Sequence, residues 1–320
     1  MRLFEHPDFD QAILGAAEHF RGQGLRPGII EKDYFVTEAL RIIAQTAGGK
    51  VIFKGGTSLS KGWNLIQRFS EDIDLFLDPR AFQPALGKNA INRELKKLRD
   101  AVQTHPALTF LPNESKTFGG IGRNDYFSYV QRFGAVGEVV NHVLIESGTA
   151  SGREPTVSIE LRSYLAQFLN ETGTSLGAED EGTFLMDLLH FRRTFVEKMF
   201  TIHSKIEICK RDGSALGGYA RHYYDLYQLA SQPEVLAMLK SDEYAAIKAD
   251  YDQISKTSFP RDYFYPANMS FARSDALFPP EELTAVIGPE YESQCRLLCY
   301  GPFPKWNEVQ DRFRQIQEFL

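Results

Sequence analysis

Two acids, Asp72 and Asp74, sit two positions apart in the run SEDIDLFL over residues 70–77. On a strand, residues i and i+2 project from one face, so the two carboxylates stand side by side. Two such anions repel, and the repulsion raises one pKa unless a cation joins them. Magnesium, which takes carboxylate oxygens together with phosphate oxygens, removes that penalty. Shortly before the acids, Gly55 and Gly56 follow the apolar run VIF and lead into Thr57 and Ser58. A glycine turn opening a helix presents backbone N–H groups, and these bind phosphate. In this order and this close together, the two features predict metal–triphosphate chemistry. The acids hold magnesium, with two ions expected, and the turn holds an NTP. Either feature alone is weak, because a solitary Asp-x-Asp usually decorates a solvated strand face.

The elements that must position these groups follow from periodicity. Helices are expected over 8–24 and 28–47, the second opened by Pro27 and carrying Ile30, Tyr34, Leu40 and Ile43 at helical spacing. VIF at 51–53 reads as a short buried strand. Thr57 or Ser58 is expected to cap a helix running to about Ile66. SEDIDLFL alternates as a strand, with Ser70, Asp72, Asp74 and Phe76 on one face. A charged helix over 88–104 and strands over 106–112, 125–133 and 138–147 follow, and then an extended piece, PTVSIELRSYL. Beyond about residue 185 the expectation is helices, over 190–208, 219–231, 233–249 and 305–320. In the last, Trp306, Val309, Phe313, Ile316 and Leu320 form a stripe that must dock on something. The expected organisation is an α/β (α+β) domain over 1–185, a mixed sheet with flanking helices, followed by a helical domain over 186–320.

Composition bounds the class. The 320 residues are 43% hydrophobic and 24% charged, as in globular proteins. No run approaches the roughly 18 apolar residues of a membrane span, and the N-terminus lacks the apolar segment of a secretion signal. Cys209, Cys295 and Cys299 provide no disulfide framework, and Cys295 and Cys299 read as buried apolar residues. The expected location is the cytoplasm. A net charge of −6 argues against a general nucleic-acid coat, though not against an enzyme with a local basic patch.

The string KGGTSLSKGW…RFSEDIDL resembles the AbiEii/AbiGii toxin family, which includes the MenT toxins, within the DNA polymerase β superfamily of nucleotidyltransferases. Similar stretches continue in IIEKDYFVTEAL at 29–40, RTFVEKMFTIH at 193–203, YARHYYDLYQLA at 219–230 and the C-terminal YESQCRLLCYGPFPKWNEVQDRF. The resemblance implies a magnesium-dependent transfer of NMP from an NTP, with tRNA as the expected acceptor and an antitoxin encoded alongside as partner. It implies Asp72, Asp74, Lys198 and Asp225 as catalytic residues. Gly55, Gly56, Thr57, Ser58 and Lys61 are placed to take the triphosphate, and the Lys198 amine would bind NTP phosphates as a point charge. By periodicity alone, Lys198 lies at the edge of an apolar stripe, where a lysine normally snorkels outward. Asp225 alone reads as an ion pair with Arg221, and its role as general base or as orienter of Lys198 stays open. Glu146 is the preferred third metal carboxylate and Glu160 the alternative. Arg68 and Ser70 read equally as anchors or as nucleotide contacts, and Lys32 and Asp33 match a family motif without an evident mechanism. An RNA acceptor calls for a basic groove, with Lys61, Arg68, Arg192, Arg193, Lys205, Lys210, Arg211 and Arg221 as candidates. The alternatives are an inactive nucleotide- or RNA-binding protein of the same fold, or a phosphotransferase acting on a protein. The choice of NTP and a role in phage defence stay open.

Overall fold

The computed structural model describes residues 1–70, 72–134 and 140–320. Glu71 and the opening residues of the strand expected over 138–147 lie outside the described residues. The chain divides into two compact units. The first comprises Met1–Gly62, Phe69–Thr149 and Thr156–Leu188; the second comprises Trp63–Arg68, Ala150–Pro155 and Leu189–Leu320.

In the first unit, α1 (Phe9–His19) and α2 (Pro27–Ala47) lead into β1 (Val51–Lys54), α3 (Gly55–Lys61) and β2 (Asp72–Leu77). Then come α4 (Lys88–Val102), β3 (Thr109–Phe110), β4 (Lys116–Phe118), β5 (Gly122–Ser128), β6 (His142–Gly148), β7 (Thr156–Leu161), α5 (Tyr164–Glu171) and β8 (Phe184–Leu189). The sheet is mixed, in the order β3-β5-β6-β2-β1-β8-β7, with β4 on β5. Strand β2 runs antiparallel to β1 and parallel to β6. Its Ile73 and Leu75 lie buried with Val143, Ile145 and Phe127, while Asp72 and Asp74 alternate onto the half-buried face.

Several expectations needed correction here. Helix α3 starts at Gly55 and stops at Lys61, so Thr57 lies inside it and caps nothing. β8 falls where the helical half is expected to begin. It is short and mostly apolar, with Leu185 exposed and Met186 and Leu188 buried, and periodicity over so few residues cannot tell a strand from a helix segment. PTVSIELRSYL is β7 followed by α5, because the Ser163 hydroxyl accepts from Ala166 N–H and starts a helix.

The motif IIEKDY on α2 receives a structural explanation. Glu31 accepts from the N–H groups of Arg132 and Phe133. The Lys32 amine donates to the carbonyls of Val140 and His142. Asp33 takes the Lys61 amine at 2.6 Å and Tyr164 N–H at 2.8 Å. The Tyr34 hydroxyl donates to Asp180, which also holds Leu3 N–H. Successive polar side chains of one buried helix therefore satisfy backbone groups that would otherwise be buried without partners.

The second unit is helical: α6 (Phe191–Asp212), α7 (Arg221–Ala230), α8 (Pro233–Leu239), α9 (Asp242–Ser258), α10 (Glu281–Leu298) and α11 (Trp306–Ile316). The helix expected over 233–249 breaks at Lys240-Ser241. Helix α10 was not anticipated, since Gly288 and Pro289 inside it read as punctuation. The stripe on α11 docks through Trp306, which meets Tyr223 edge-on at 4.9 Å and Tyr291 at 5.6 Å. Among the free cysteines, Cys295 is buried and Cys299 is partly exposed. Segment Trp63–Arg68 is held in this unit. The Trp63 indole donates to the Leu189 carbonyl and its ring packs on Phe191. Gln67 N–H donates to the Tyr224 hydroxyl.

Candidate active site

The acidic face is a register row. Asp74 on β2 pairs with Glu146 on β6, Glu146 pairs with Asn124 on β5, and Lys54 on β1 pairs with Asp74. Asp72 stands one step along the same face, opposite Leu144. The Asn124 amide donates to Glu146 at 2.6 Å. Glu160 lies on β7 at the sheet edge, separated from β2 by β1 and β8. The structure therefore sets Glu146, and not Glu160, beside Asp74.

The glycine turn fits this row closely. Gly55 has φ +76°, in the left-handed region, and any side chain there would overlap the Asp74 carboxylate. Glycine at 55 thus serves both the turn and the seating of the acid. Residue Lys54, at the N-cap of α3, makes no side-chain cap bond to the first helical turn. The Thr57 hydroxyl donates to the Asp72 carbonyl at 2.5 Å and ties the turn to the acidic strand. The Ser58 hydroxyl donates to the Gly55 carbonyl. Lys61, only 6% exposed, is held by Asp33 at 2.6 Å and by the Arg162 carbonyl. These three side chains, expected at the triphosphate, are in the structure engaged with the protein itself.

A second cluster lies within the helical unit. Asp225 on α7 is fully buried. Arg68 grips it with two parallel bonds of 2.6 and 2.7 Å, and Lys198 on α6 reaches it at 2.8 Å. The Lys198 amine also lies 3.1 Å from His222 Nδ1. Burial opposes ionisation of Asp225, but the Arg68 and Lys198 charges outweigh it and hold the carboxyl well below the usual range. Burial, with Lys198 alongside, pushes His222 down to about 3, so the ring is neutral at pH 7 and its Nδ1 accepts a hydrogen bond from the Lys198 amine. A carboxylate so firmly ionised is a poor general base. Its arrangement suits the other role, that of aiming Lys198.

The model of the AbiEii nucleotidyltransferase toxins, of type IV toxin–antitoxin systems, matches residues 39–293. The chain belongs to this family. It is accordingly a nucleotidyltransferase. Among solved structures, it is similar to MenT4, a nucleotidyltransferase toxin from Mycobacterium tuberculosis H37Rv, at 15% identity over 96% of this chain and 88% of that one, with a TM-score of 0.56. A protein from H. pylori assigned as a nucleotidyltransferase matches over 88% of this chain and 93% of its own, at 15% identity and a TM-score of 0.39. No curated protein matches the sequence significantly. The similarity to MenT4, at this identity, concerns the fold.

For an AbiEii-family enzyme, the fit of the acidic face to magnesium can be tested on its donors. Asp72, Asp74 and Glu146 supply hard oxygen ligands. Among the described residues, no group of three His, Cys, Asp or Glu side chains is already gathered as a cage. Magnesium usually takes one or two carboxylates and completes its shell with water and substrate phosphates.

Many of the cations expected in an RNA groove are engaged with acids. Arg192 pairs with Glu234 and Glu243, Arg193 with Glu197 and Asp250, and Lys210 with Glu207 and Asp275. Lys205 lies over the Tyr219 ring. The partnership of Arg68 with Asp225 was missed in the sequence. Its only signal there was an aspartate among the apolar positions of α7, which demanded a cation from elsewhere in the chain. No helix of the described residues is long and apolar enough to cross a membrane.

Proposed function

We propose that this protein transfers a nucleoside monophosphate from an NTP to the 3′ end of tRNA, as the toxin of a toxin–antitoxin pair acting in the cytoplasm. The observation that carries the reading is the row Asn124–Glu146–Asp74–Lys54, with Asp72 on the same face and Gly55 pressed against Asp74. Asp72 and Asp74, with Glu146, hold magnesium. When bound, the metal neutralises the phosphates and steadies the leaving pyrophosphate.

Backbone N–H groups of Gly55, Gly56 and Thr57 take phosphate oxygens at the start of α3. Lys198, aimed by Asp225 and His222, adds a fixed positive charge for the triphosphate. The cluster of Arg68, Lys198 and Asp225 carries two positive charges against one negative, an excess that favours a polyanion. The acceptor hydroxyl oxygen bonds to the α-phosphorus, the α–β phosphoanhydride bond breaks, pyrophosphate leaves, and the hydroxyl proton passes to a carboxylate of the acidic face. Thr57, Ser58 and Lys61 support this by fixing the turn and α3.

The test is incubation with magnesium, total tRNA and each NTP labelled at the α- or the γ-phosphate. Nucleotidyl transfer puts only α-label on the acceptor, whereas γ-label would mean phosphoryl transfer. Asp72→Asn and Asp74→Asn should each abolish labelling with an unchanged melting temperature, since the charge they remove serves catalysis and not folding. Labelling of a protein, with none of tRNA, would overturn the choice of acceptor.

A further inference from the structure

The half-buried face that carries the acids also carries an aromatic strip. Tyr126 on β5 is opposite Leu144 on β6, and Leu144 is opposite Asp72 on β2, so the three form one register row. His142 lies two residues before Leu144 on the same face, and its ring meets Tyr126 edge-on at 5.1 Å. Two strand spacings separate Tyr126 from Asp72, about 10 Å. Both rings are half-buried, unlike Phe127 and Val143, which alternate to the opposite face and are fully buried. The backbone under each ring is pinned. Tyr126 N–H donates to the Ser115 hydroxyl at 3.1 Å, and the His142 carbonyl takes the Lys32 amine. Two aromatic rings and Leu144 thus stand at fixed register positions on the face that carries the carboxylates.

We propose that Tyr126 and His142, with Leu144 between them and the acids, form a nucleobase platform. This rests on the reading of Asp72 and Asp74 as the phosphate end of the site. A nucleotide has a charged end and a flat aromatic end joined by a sugar, and the face offers the complement of both in adjacent positions. Stacking on an aromatic ring is tolerant of base identity, so the platform contributes affinity for a nucleotide more than choice among the four. The base held here comes either from the NTP or from the terminal nucleotide of the acceptor, and the experiment separates the two.

KM is measured for the NTP at saturating acceptor and for the acceptor at saturating NTP, in wild type and in Tyr126→Leu, Tyr126→Phe and His142→Leu. Base–aromatic stacking is worth about 1–3 kcal/mol by truncation, which converts to a rise of about 5- to 140-fold at 1.4 kcal/mol per tenfold. Tyr126→Leu should raise one of the two KM values within that range, and the substrate affected identifies the source of the base. Tyr126→Phe, which keeps the ring, should recover most of the loss. An independent readout is photocrosslinking with an azido-purine NTP and peptide mapping, which needs no turnover and should label the β5 or β6 peptide if the NTP base is the occupant. Unmoved KM values in both arms overturn the platform, as does a Tyr126→Phe variant as impaired as Tyr126→Leu. If Asp72→Asn retains transfer, the underlying site assignment has failed. An inactive Asp72→Asn beside an unaffected Tyr126→Leu means the platform alone has failed.

Discussion

Replacing Asp225 with asparagine would remove one negative charge and almost no volume from the helical unit. Arg68 and Lys198, with side chains 2% and 8% exposed, would then lose the carboxylate they share. Lys198 can shed its proton to escape the penalty, but a guanidinium cannot, so Arg68 bears the cost. Breaking a buried pair by removing one partner costs about 3–5 kcal/mol, because the other charge is left uncompensated. At a urea slope near 2 kcal/mol per M, the midpoint should fall by about 2 M. Both tryptophans, Trp63 and Trp306, belong to the helical unit, so fluorescence reads the unfolding of that unit selectively. Adding Arg68→Met to Asp225→Asn should restore a substantial part of the loss, since the stranded charge goes too. The pH dependence supplies a second check. The Asp225 pKa is depressed in the folded protein, so its stabilisation is present above the ordinary value of 3.8 and is lost only as pH falls through the lower folded value. The gap between wild type and Asp225→Asn should therefore not close between neutral pH and about 4. A midpoint shift worth less than about 1 kcal/mol, or a gap that closes between pH 7 and pH 5, would refute this account of the cluster.

Three other expectations concern the N-terminal unit and the acceptor. Gly55→Ala should cost at least about 1 kcal/mol from the left-handed backbone alone and should depress transfer strongly, because the new methyl displaces the Asp74 carboxylate; equal stability and activity would contradict the described seating. Lys61→Met strands Asp33 in a mostly buried position, so circular dichroism should report a stability loss of about 2–4 kcal/mol, whereas a raised KM for NTP at unchanged stability would make Lys61 a phosphate contact instead. Binding of tRNA should weaken about 20- to 40-fold over a fourfold rise in salt if three phosphate contacts are made, and salt-insensitive binding would argue against a basic groove.

The family and the shared face of the two acids were legible in the sequence because both depend on local spacing. The i, i+2 placement of Asp72 and Asp74 puts them on one face in any strand, and two glycines after an apolar run make a turn almost regardless of context. Helix α2 and the docking stripe of α11 were legible for the same reason, as their periods are written in adjacent residues. Contacts between distant segments carry no local signature. The pairing of Glu146 with Asp74 depends on β6 lying parallel to β2, a register that no residue of either strand announces. Arg68 reads as a flank of the acidic strand, yet residues 63–68 leave that unit and pack in the helical one, where the guanidinium meets Asp225. Lys61 reads as a cation free for phosphate until the helix carrying Asp33 is seen beside it. Sequence alone determined which groups could do the chemistry, because a side chain's acidity and a strand's period are local properties. Tertiary structure decided which of those groups stand together and which are held by the protein itself, because burial and charge pairing depend on segments that meet only when the chain folds.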